Sequence, residues 1–263
     1  MDLGLKDRVA IVAASSRGLG KACALELAAA GAGVVICGRT ADALEETAQE
    51  IGQSTGVEVL SLVVDLTDAA QIRHLVDETL RRYGRIDVLV TNNGGPPAGY
   101  FDDFDDGDWL AAHELTLMST VRLIRAVLPA MRAQGWGRIV NITSVSVKQP
   151  IDNLLFSNVY RAGVIALAKT LSPQVAIQGI TINSVAPGYT RTDRVLDLAE
   201  ARAAEQGRTV EEVMAQTAAG FPMQRMAEPE ELAAAVAFLA SERASYVTGT
   251  TLQVDGGYVK GLL

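Results

Sequence analysis

A glycine-rich turn near the amino end of the chain is the first feature whose residues could do chemistry. After an apolar run, the sequence continues with the seven residues that a phosphate-binding loop would use: Ala14, Ser15, Ser16, Arg17, Gly18, Leu19 and Gly20. Glycines at such a turn let the backbone approach a pyrophosphate, and the N–H groups and dipole of a following helix stabilise its charge. A tight turn alone also needs glycine, but the position after a first buried strand predicts a dinucleotide site.

The end of the second apolar run indicates which dinucleotide would bind. An acidic residue here would bind the ribose 2′-OH of NAD, but the chain has Arg39 followed by Thr40. The guanidinium groups of Arg39 and Arg17 suit the 2′-phosphate of NADP. At the end of the third run, Asp65, followed by Leu66, is placed to accept a hydrogen bond from the adenine amino group. We therefore predict NADP (NADPH) as the cofactor, with NAD as the alternative. The non-functional interpretation is that Arg39 and Arg17 are two solvated surface arginines.

Seven short apolar runs must position these residues, and they have the pattern of strands buried on both faces. Val and Ile are prominent in most of them, and apolar residues occupy nearly every position instead of alternating, which is typical of parallel sheets. The predicted strands are residues 8–14, 33–38, 58–64, 87–91, 138–143, 181–185 and 250–254.

Longer Ala- and Leu-rich stretches with helical periodicity lie between these strands, at residues 18–30, 41–51, 69–83, 108–133, 155–177 and 229–240. Repeated strand–helix–strand units imply right-handed crossovers. We therefore predict an α/β fold in one domain over residues 1–263, with a doubly wound, seven-stranded parallel sheet and helices on both faces. The polar segment 190–226 is predicted to be mostly helical and to act as a substrate lid, because loops beyond the carboxyl ends of the strands form the site in such sheets.

Four later motifs, together with the glycine turn, resemble the short-chain dehydrogenase/reductase family, particularly its β-ketoacyl carrier-protein reductase branch. They are residues 92–95 (Asn-Asn-Gly-Gly), the strand 137–144 that ends in a serine, the turn 187–192, and the carboxyl-terminal segments 246–249 and 254–257. The resemblance extends from about Leu5 to Val259. It implies a Rossmann fold and further cofactor contacts from Asn92, Gly94, Pro187, Gly188, Thr190 and Thr192.

The chain departs from that family at the residues that carry its chemistry. The glycine motif of the family begins Thr-Gly, whereas this chain has Ala13 and Ala14, and the additional methyl group is expected to narrow the loop. The family's catalytic tetrad is Asn, Ser, Tyr and Lys. On the matching positions, the serine is retained as Ser144, and the other three are replaced by Thr116, Ser157 and Arg161.

These replacements leave the proton donor open. In ordinary family members the tyrosine is the general acid, and the lysine binds the nicotinamide ribose and lowers the tyrosine pKa. The hydroxyl of Ser157 is a much poorer acid than a phenol, and Arg161 can bind ribose but has too high a pKa to relay a proton. Tyr160 lies three residues after Ser157, on roughly the same helix face. It is either a displaced general acid or, as we favour, a packing residue.

Composition argues against several other classes of function. The net charge of −8 argues against a nucleic-acid partner. The longest apolar runs are shorter than the roughly 18 residues of a membrane span, and the first residues lack the pattern of a secretory signal. Cys23 and Cys37 fall in predicted core elements, which favours a reducing, cytoplasmic location. No metal site is predicted, because the acidic run 102–108 is typical of a solvated helix start.

Three functions remain open. The favoured one is an NADP-dependent reductase of a small-molecule carbonyl substrate, a 3-oxoacyl compound or a related ketone. The second is a non-redox enzyme, a dehydratase, lyase or isomerase, and the third is an inactive nucleotide-binding protein. The resemblance also implies a homotetramer or homodimer that pairs the helices 108–133 and 155–177 and the carboxyl-terminal strand.

Overall fold

Seven parallel strands form the central sheet of the protein, in the order β3-β2-β1-β4-β5-β6-β7. The strands are β1 Val9–Val12, β2 Gly33–Gly38, β3 Val59–Val63, β4 Val88–Thr91, β5 Gly137–Ile142, β6 Ile180–Pro187 and β7 Thr251–Val254. The structure, a computed structural model, describes residues 2–262, except for the side chains of residues 193, 194, 197, 198 and 201. The order reverses between β1 and β4, so the sheet is doubly wound, which confirms the predicted fold class.

Nine α-helices connect and cover the strands in the described part of the chain. They are α1 Gly18–Ala29, α2 Ala41–Thr55, α3 Ala69–Tyr83, α4 Asp106–His113, α5 Ser119–Gln134, α6 Leu155–Val175, α7 Asp193–Gln206, α8 Val210–Ala219 and α9 Pro229–Ala240. None of the helices described is both long and apolar enough to cross a membrane.

The predicted helix 108–133 is in fact divided. α4 ends at His113, a single π-helical turn covers Glu114–Met118, and α5 begins at Ser119. A π turn has a wider hydrogen-bond spacing than an α-helix, and such turns often occur at functional sites. Thr116, one of the predicted site residues, lies in this turn.

Two apolar cores, one on each face, hold the helices against the sheet. One face buries residues of α1, α2 and α9. The other buries residues of α3, α5 and α6. Both cysteines are free and buried, and burial raises the pKa of Cys23 to about 12 and that of Cys37 to about 11.

Ionic contacts hold the amino-terminal ends of the central strands. Asp87, immediately before β4, is fully buried, and its carboxylate accepts hydrogen bonds from Arg8, from Arg85 and from the first amide of β1. Arg8 also pairs with Glu242, which lies 3.5 Å from the buried guanidinium of Arg138 on β5. We refer to Arg8, Arg85, Asp87, Arg138 and Glu242 as the amino-edge network. The residues with predicted chemistry lie at the opposite, carboxyl edge of the sheet.

The segment 190–226 is mostly helical, as predicted. Its helices α7 and α8 pack against each other around a small apolar cluster of Ala199, Ala203 and Val213. An isolated parallel bridge between Thr190 and Ala227 brings the start of the segment next to the residue that follows its end.

Candidate active site

The loop between β1 and α1 is closed by contacts that leave little room for side chains. Ala14 has a φ of 47°, in the left-handed region, and its carbonyl accepts a hydrogen bond from Nδ2 of Asn92 at 3.1 Å. A Cβ on Gly20 would lie 2.3 Å from that carbonyl oxygen and 2.8 Å from Cα of Ser15. The buried hydroxyl of Ser15 donates to a β1 carbonyl and accepts from a β2 amide. The glycine turn is therefore fixed against both neighbouring strands.

The start of α1 meets the turn that follows β6. Arg17 caps α1 in an extended conformation and is exposed, and Gly18 begins the helix with a φ of 56°. A Cβ on Gly18 would lie 3.7 Å from Cγ2 of Thr192. Ser16 lies beside Gly38 at the end of β2, and the partly buried Leu19 packs against the core below. The structure therefore brings the glycine turn next to the turn after β6, although the two are far apart in sequence. The free N–H groups at the start of α1 could bind a phosphate.

The residues predicted to bind adenosine lie after β2 and β3, two neighbouring strands. Arg39 and Thr40 are exposed, whereas Leu66 is buried. The Asp65 carboxylate accepts hydrogen bonds from the amide and hydroxyl of Thr67, at 2.9 and 2.8 Å. These bonds, and to a lesser degree the nearby positive charge of Arg39, lower the pKa of the Asp65 carboxyl group. An ionised acceptor and an exposed guanidinium thus lie close together.

The turn after β6 offers a buried hydroxyl for a ligand. Pro187 ends β6, and the Gly188 amide donates to the Val254 carbonyl at 2.9 Å. Thr190 is buried, and its hydroxyl has no hydrogen-bond partner in the described part of the chain. Because buried hydroxyls are normally hydrogen-bonded, a polar ligand group is the natural partner, and the carboxamide of a nicotinamide fits this chemistry. Gly94, after β4, is exposed, and a Cβ there would meet nothing within 4 Å.

Three serine side chains gather at the carboxyl end of β5. Ser144 is partly exposed, and its Oγ accepts a hydrogen bond from the amide of Ser146 at 3.1 Å. Ser157 on α6 is buried, and its Oγ lies 3.4 Å from the Oγ of Ser146, which is also buried. Ser146 was not predicted as a site residue. A serine side chain often accepts a hydrogen bond from the amide two residues later, so the spacing of Ser144 and Ser146 could have indicated this contact.

Arg161 carries positive charge to the same edge. Its Nη1 donates to the carbonyl oxygens of Ile142 and Thr143, at 3.1 and 3.2 Å, and its Nη2 donates to Oδ1 of Asn93 at 3.3 Å. Asn93 in turn donates from Nδ2 to the carbonyl oxygen of Thr116 at 3.4 Å. The Thr116 hydroxyl is fully buried and has no hydrogen-bond partner among residues 2–262. Asn93 therefore links the loop after β4 to the π turn and, through Arg161, to the end of β5. Asn93 belongs to the motif at residues 92–95, but its role was not predicted from the sequence.

Tyr160 belongs to a different group of side chains. Its hydroxyl donates to the carbonyl oxygen of Trp109 on α4 at 2.9 Å, and its ring contacts Phe156, Trp109 and His113. Burial raises the pKa of the Tyr160 phenol. No hydrogen bond of the described residues connects Tyr160 with Ser144 or Ser157. This environment suits packing better than proton donation.

Two cavities lie beside the segment 190–226. A cavity of about 300 Å³ lies between it and the end of β7, lined by residues that include Tyr189, Phe221, Met223 and Asp255. A second cavity of about 570 Å³ is lined by α7, α8 and the segment before α9, including Arg191 and Met214. The described residues contain no group of three or more His, Cys, Asp or Glu side chains that could hold a metal ion. The carboxyl edge thus provides a phosphate loop, hydroxyl donors and a fixed positive charge.

Comparison with known proteins agrees with this arrangement. A family model described as enoyl-(acyl carrier protein) reductase matches residues 13–259. The 3-oxoacyl-[acyl-carrier-protein] reductase FabG of Escherichia coli is 36% identical over 255 residues, which cover 97% of this chain and 98% of that protein. The NADPH-dependent reductase BacG of Bacillus subtilis is 32% identical, over 98% of this chain and 100% of its own.

Solved structures give the same result. L-sorbose reductase from Gluconobacter frateurii, solved with NADPH and L-sorbose, superposes with a TM-score of 0.97. It is 34% identical to this chain and covers 100% of both chains. The strand order, the glycine turn, the carboxyl-edge serine and these similarities lead to one conclusion: the chain belongs to the short-chain dehydrogenase/reductase family.

Proposed function

We propose that the protein is an NADPH-dependent oxidoreductase that reduces a carbonyl group in a small molecule, a 3-oxoacyl compound or a related ketone. The observation that carries the proposal is the meeting of the glycine turn, the two exposed arginines and Ser144 at one edge of the sheet. The relatives named above are reductases. They do not favour a non-redox enzyme or an inactive nucleotide-binding protein.

The cofactor site divides into four parts. The glycine turn and the start of α1 hold the pyrophosphate, and Arg17, Arg39 and Thr40 bind the 2′-phosphate. Asp65 and Leu66 bind the adenine. Asn92, Gly94 and Arg161 contact the ribose side of the nicotinamide, and Pro187, Gly188, Thr190 and Thr192 hold its carboxamide. When bound there, NADPH supplies the hydride.

The chain's own residues orient the substrate and stabilise charge. The Ser144 oxygen accepts from the amide of Ser146, so its O–H is free to donate to a carbonyl oxygen. The guanidinium of Arg161, fixed by backbone carbonyls, favours the negative charge that develops on that oxygen. Because Ser157 replaces a phenol, we expect slow turnover compared with family members that retain the tyrosine.

The lid segment 190–226 selects the substrate in this proposal. Its two cavities are lined by apolar and aromatic residues together with charged ones, and their arginines, Arg191 and Arg225, pair with Glu228 and Glu231. Such a lining accepts a substrate with an apolar part and a polar end.

The test is a fluorescence titration with NADPH and NADH, followed by a panel of ketones and acyl thioesters in which NADPH consumption is measured. We expect tighter binding of NADPH and consumption with at least one ketone. NADPH binding without consumption on any substrate would contradict the reductase and favour a non-redox or inactive protein.

We further propose that the protein is a cytoplasmic homotetramer or homodimer. Apolar side chains are exposed on the helices that the resemblance places at the interface, with Leu110 on α4 66% exposed and Val159 on α6 45% exposed. Phe238 on α9 and Leu252 on β7 are also exposed apolar side chains. Two free, buried cysteines suit a reducing compartment.

A further inference from the structure

Ser146 is the residue that touches both predicted hydroxyl groups of the site. It lies in a short turn, Val145–Val147, directly after Ser144. Its amide donates to the Ser144 oxygen at 3.1 Å, and its hydroxyl lies 3.4 Å from that of Ser157. Both Ser146 and Ser157 are buried, with exposures of 3% and 8%. A buried hydroxyl requires a partner, and among the described residues these two hydroxyls are partners of each other.

This contact has a preferred direction when a substrate oxygen is present. If the Ser157 hydroxyl donates its one proton to the substrate, that proton is not available to Ser146, so Ser146 is the donor and the Ser157 oxygen the acceptor in this contact. Hydrogen bonds in such chains strengthen one another, because each polarises the next. The 3.4 Å separation is long for two hydroxyls, as is common for catalytic contacts before substrate binds.

We propose that Ser146 is a positioning residue that donates a hydrogen bond to Ser157 and thereby makes the Ser157 hydroxyl the proton donor of carbonyl reduction. The inference rests on the proposed function. Sequence analysis discounted Ser157 because an isolated serine hydroxyl is a poor acid. The donated hydrogen bond changes this, since it stabilises the negative charge left on the Ser157 oxygen.

The proton balance is complete without another acid. Hydride addition to the carbonyl carbon moves an electron pair onto the oxygen, which becomes an alkoxide. The O–H bond of Ser157 breaks as an O–H bond forms on the product, and solvent water reprotonates Ser157 after the product leaves. The transfer runs between two aliphatic alcohols of similar acidity, so it is close to balanced in free energy, whereas a phenol would make it favourable.

A thiol at position 157 measures the effect of Ser146 directly. In the Ser157→Cys variant, the pKa of the introduced thiol is obtained from its rate of alkylation by iodoacetamide as a function of pH. Cys23 and Cys37 do not interfere, because both are buried and burial raises their pKa values to about 12 and about 11. An unperturbed thiol has a pKa of about 8.5.

We expect the thiol pKa to be higher by about one in Ser157→Cys/Ser146→Ala than in Ser157→Cys alone, so that the thiolate fraction below the pKa falls about tenfold. Ser146→Thr, which keeps the hydroxyl, should restore the lower value. Ser172→Ala removes another buried serine of α6 and should have no effect. If Ser146→Ala does not fold, Ser146→Gly provides the same comparison. Equal thiol pKa values with and without Ser146 would overturn the proposal.

A double-mutant cycle in the enzyme tests the same link through kcat. Ser146→Ala should lower kcat about tenfold with KM nearly unchanged, and should cost nothing further in a Ser157→Ala background. Equal losses in both backgrounds would mean that Ser146 acts through the fold and not through Ser157. The thiol measurement needs no turnover, so its result is independent of whether the reductase proposal is correct.

Discussion

At the scale of single residues, Ser157 and Tyr160 lie about one helical turn apart on α6 but form hydrogen bonds with different parts of the molecule. Ser157 faces Ser146 after β5, and Tyr160 faces α4, where the Trp109 carbonyl accepts a hydrogen bond from its hydroxyl. We expect Tyr160→Phe to change kcat less than about threefold, because the phenol does not reach the reacting groups. It should lower the free energy of unfolding by about 1 kcal/mol, the value of one hydrogen bond. Denaturant unfolding and steady-state kinetics measure the two effects. A loss of about 100-fold or more in kcat would instead identify Tyr160 as a displaced general acid.

Arg39 decides the cofactor preference at the same scale. It is exposed directly after β2 and close enough to Asp65 to lower the pKa of that carboxyl group. Arg39→Ala should weaken NADPH binding by roughly 1.5–3 kcal/mol, as expected for a charged hydrogen bond, and leave NADH binding nearly unchanged. Arg73→Ala, which removes an exposed arginine of α3, is the matched control. A fluorescence titration that shows equal losses for both nucleotides would exclude recognition of the 2′-phosphate by Arg39.

At the scale of elements, the strands and most helices could be predicted, because their signals are local. Short runs rich in apolar residues predicted all seven strands, and α3 and α9 have the predicted bounds. The π turn at Glu114–Met118 was missed, since no glycine or proline marks it and apolar residues continue through it. Ser146 and Asn93 were missed for another reason: their partners lie on α6, and no local pattern shows which loops α6 will approach.

The β1–α1 loop carries backbone strain. Ala14 occupies the left-handed region, which costs an L-residue about 1–2 kcal/mol, whereas glycine adopts it freely. Glycine at position 14 removes this strain but increases the conformational entropy of the unfolded chain. The net effect of Ala14→Gly should be to raise the free energy of unfolding by about 1 kcal/mol and Tm by about 2–4 °C. It should also widen the loop and tighten NADPH binding. Ala13→Gly, at a fully buried neighbour without a positive φ, should lower Tm. A fall in Tm for Ala14→Gly would show that the methyl group contributes packing that outweighs the strain.

At the scale of the whole molecule, the exposed side chains of α4 and α6 give the assembly proposal a direct test. Leu110→Asp and Val159→Asp place charge on the faces proposed to pair, where a desolvated carboxylate would be costly. Light scattering should show a lower molar mass for these variants than for the parent protein. Val63→Asp, at a 56% exposed position of β3, the edge strand at the other end of the sheet from β7, should not change the mass. A parent protein that is monomeric at micromolar concentration would contradict the proposal.

The amino-edge network has a consequence for how this protein can change. Its buried carboxylate and two guanidinium partners join β1 to β4, and Glu242 and Arg138 extend the contacts to β5, with no residue of the candidate site among them. Substitutions at the carboxyl edge therefore leave the ion pairs of the amino-edge network unchanged. In a directed-evolution library confined to the carboxyl-edge loops and the segment 190–226, most variants should fold. In a library of equal size confined to the amino-edge network, most variants should not fold. The proposed site residues Ser144, Ser157 and Arg161 are then one of many compositions that the same scaffold can carry at its carboxyl edge.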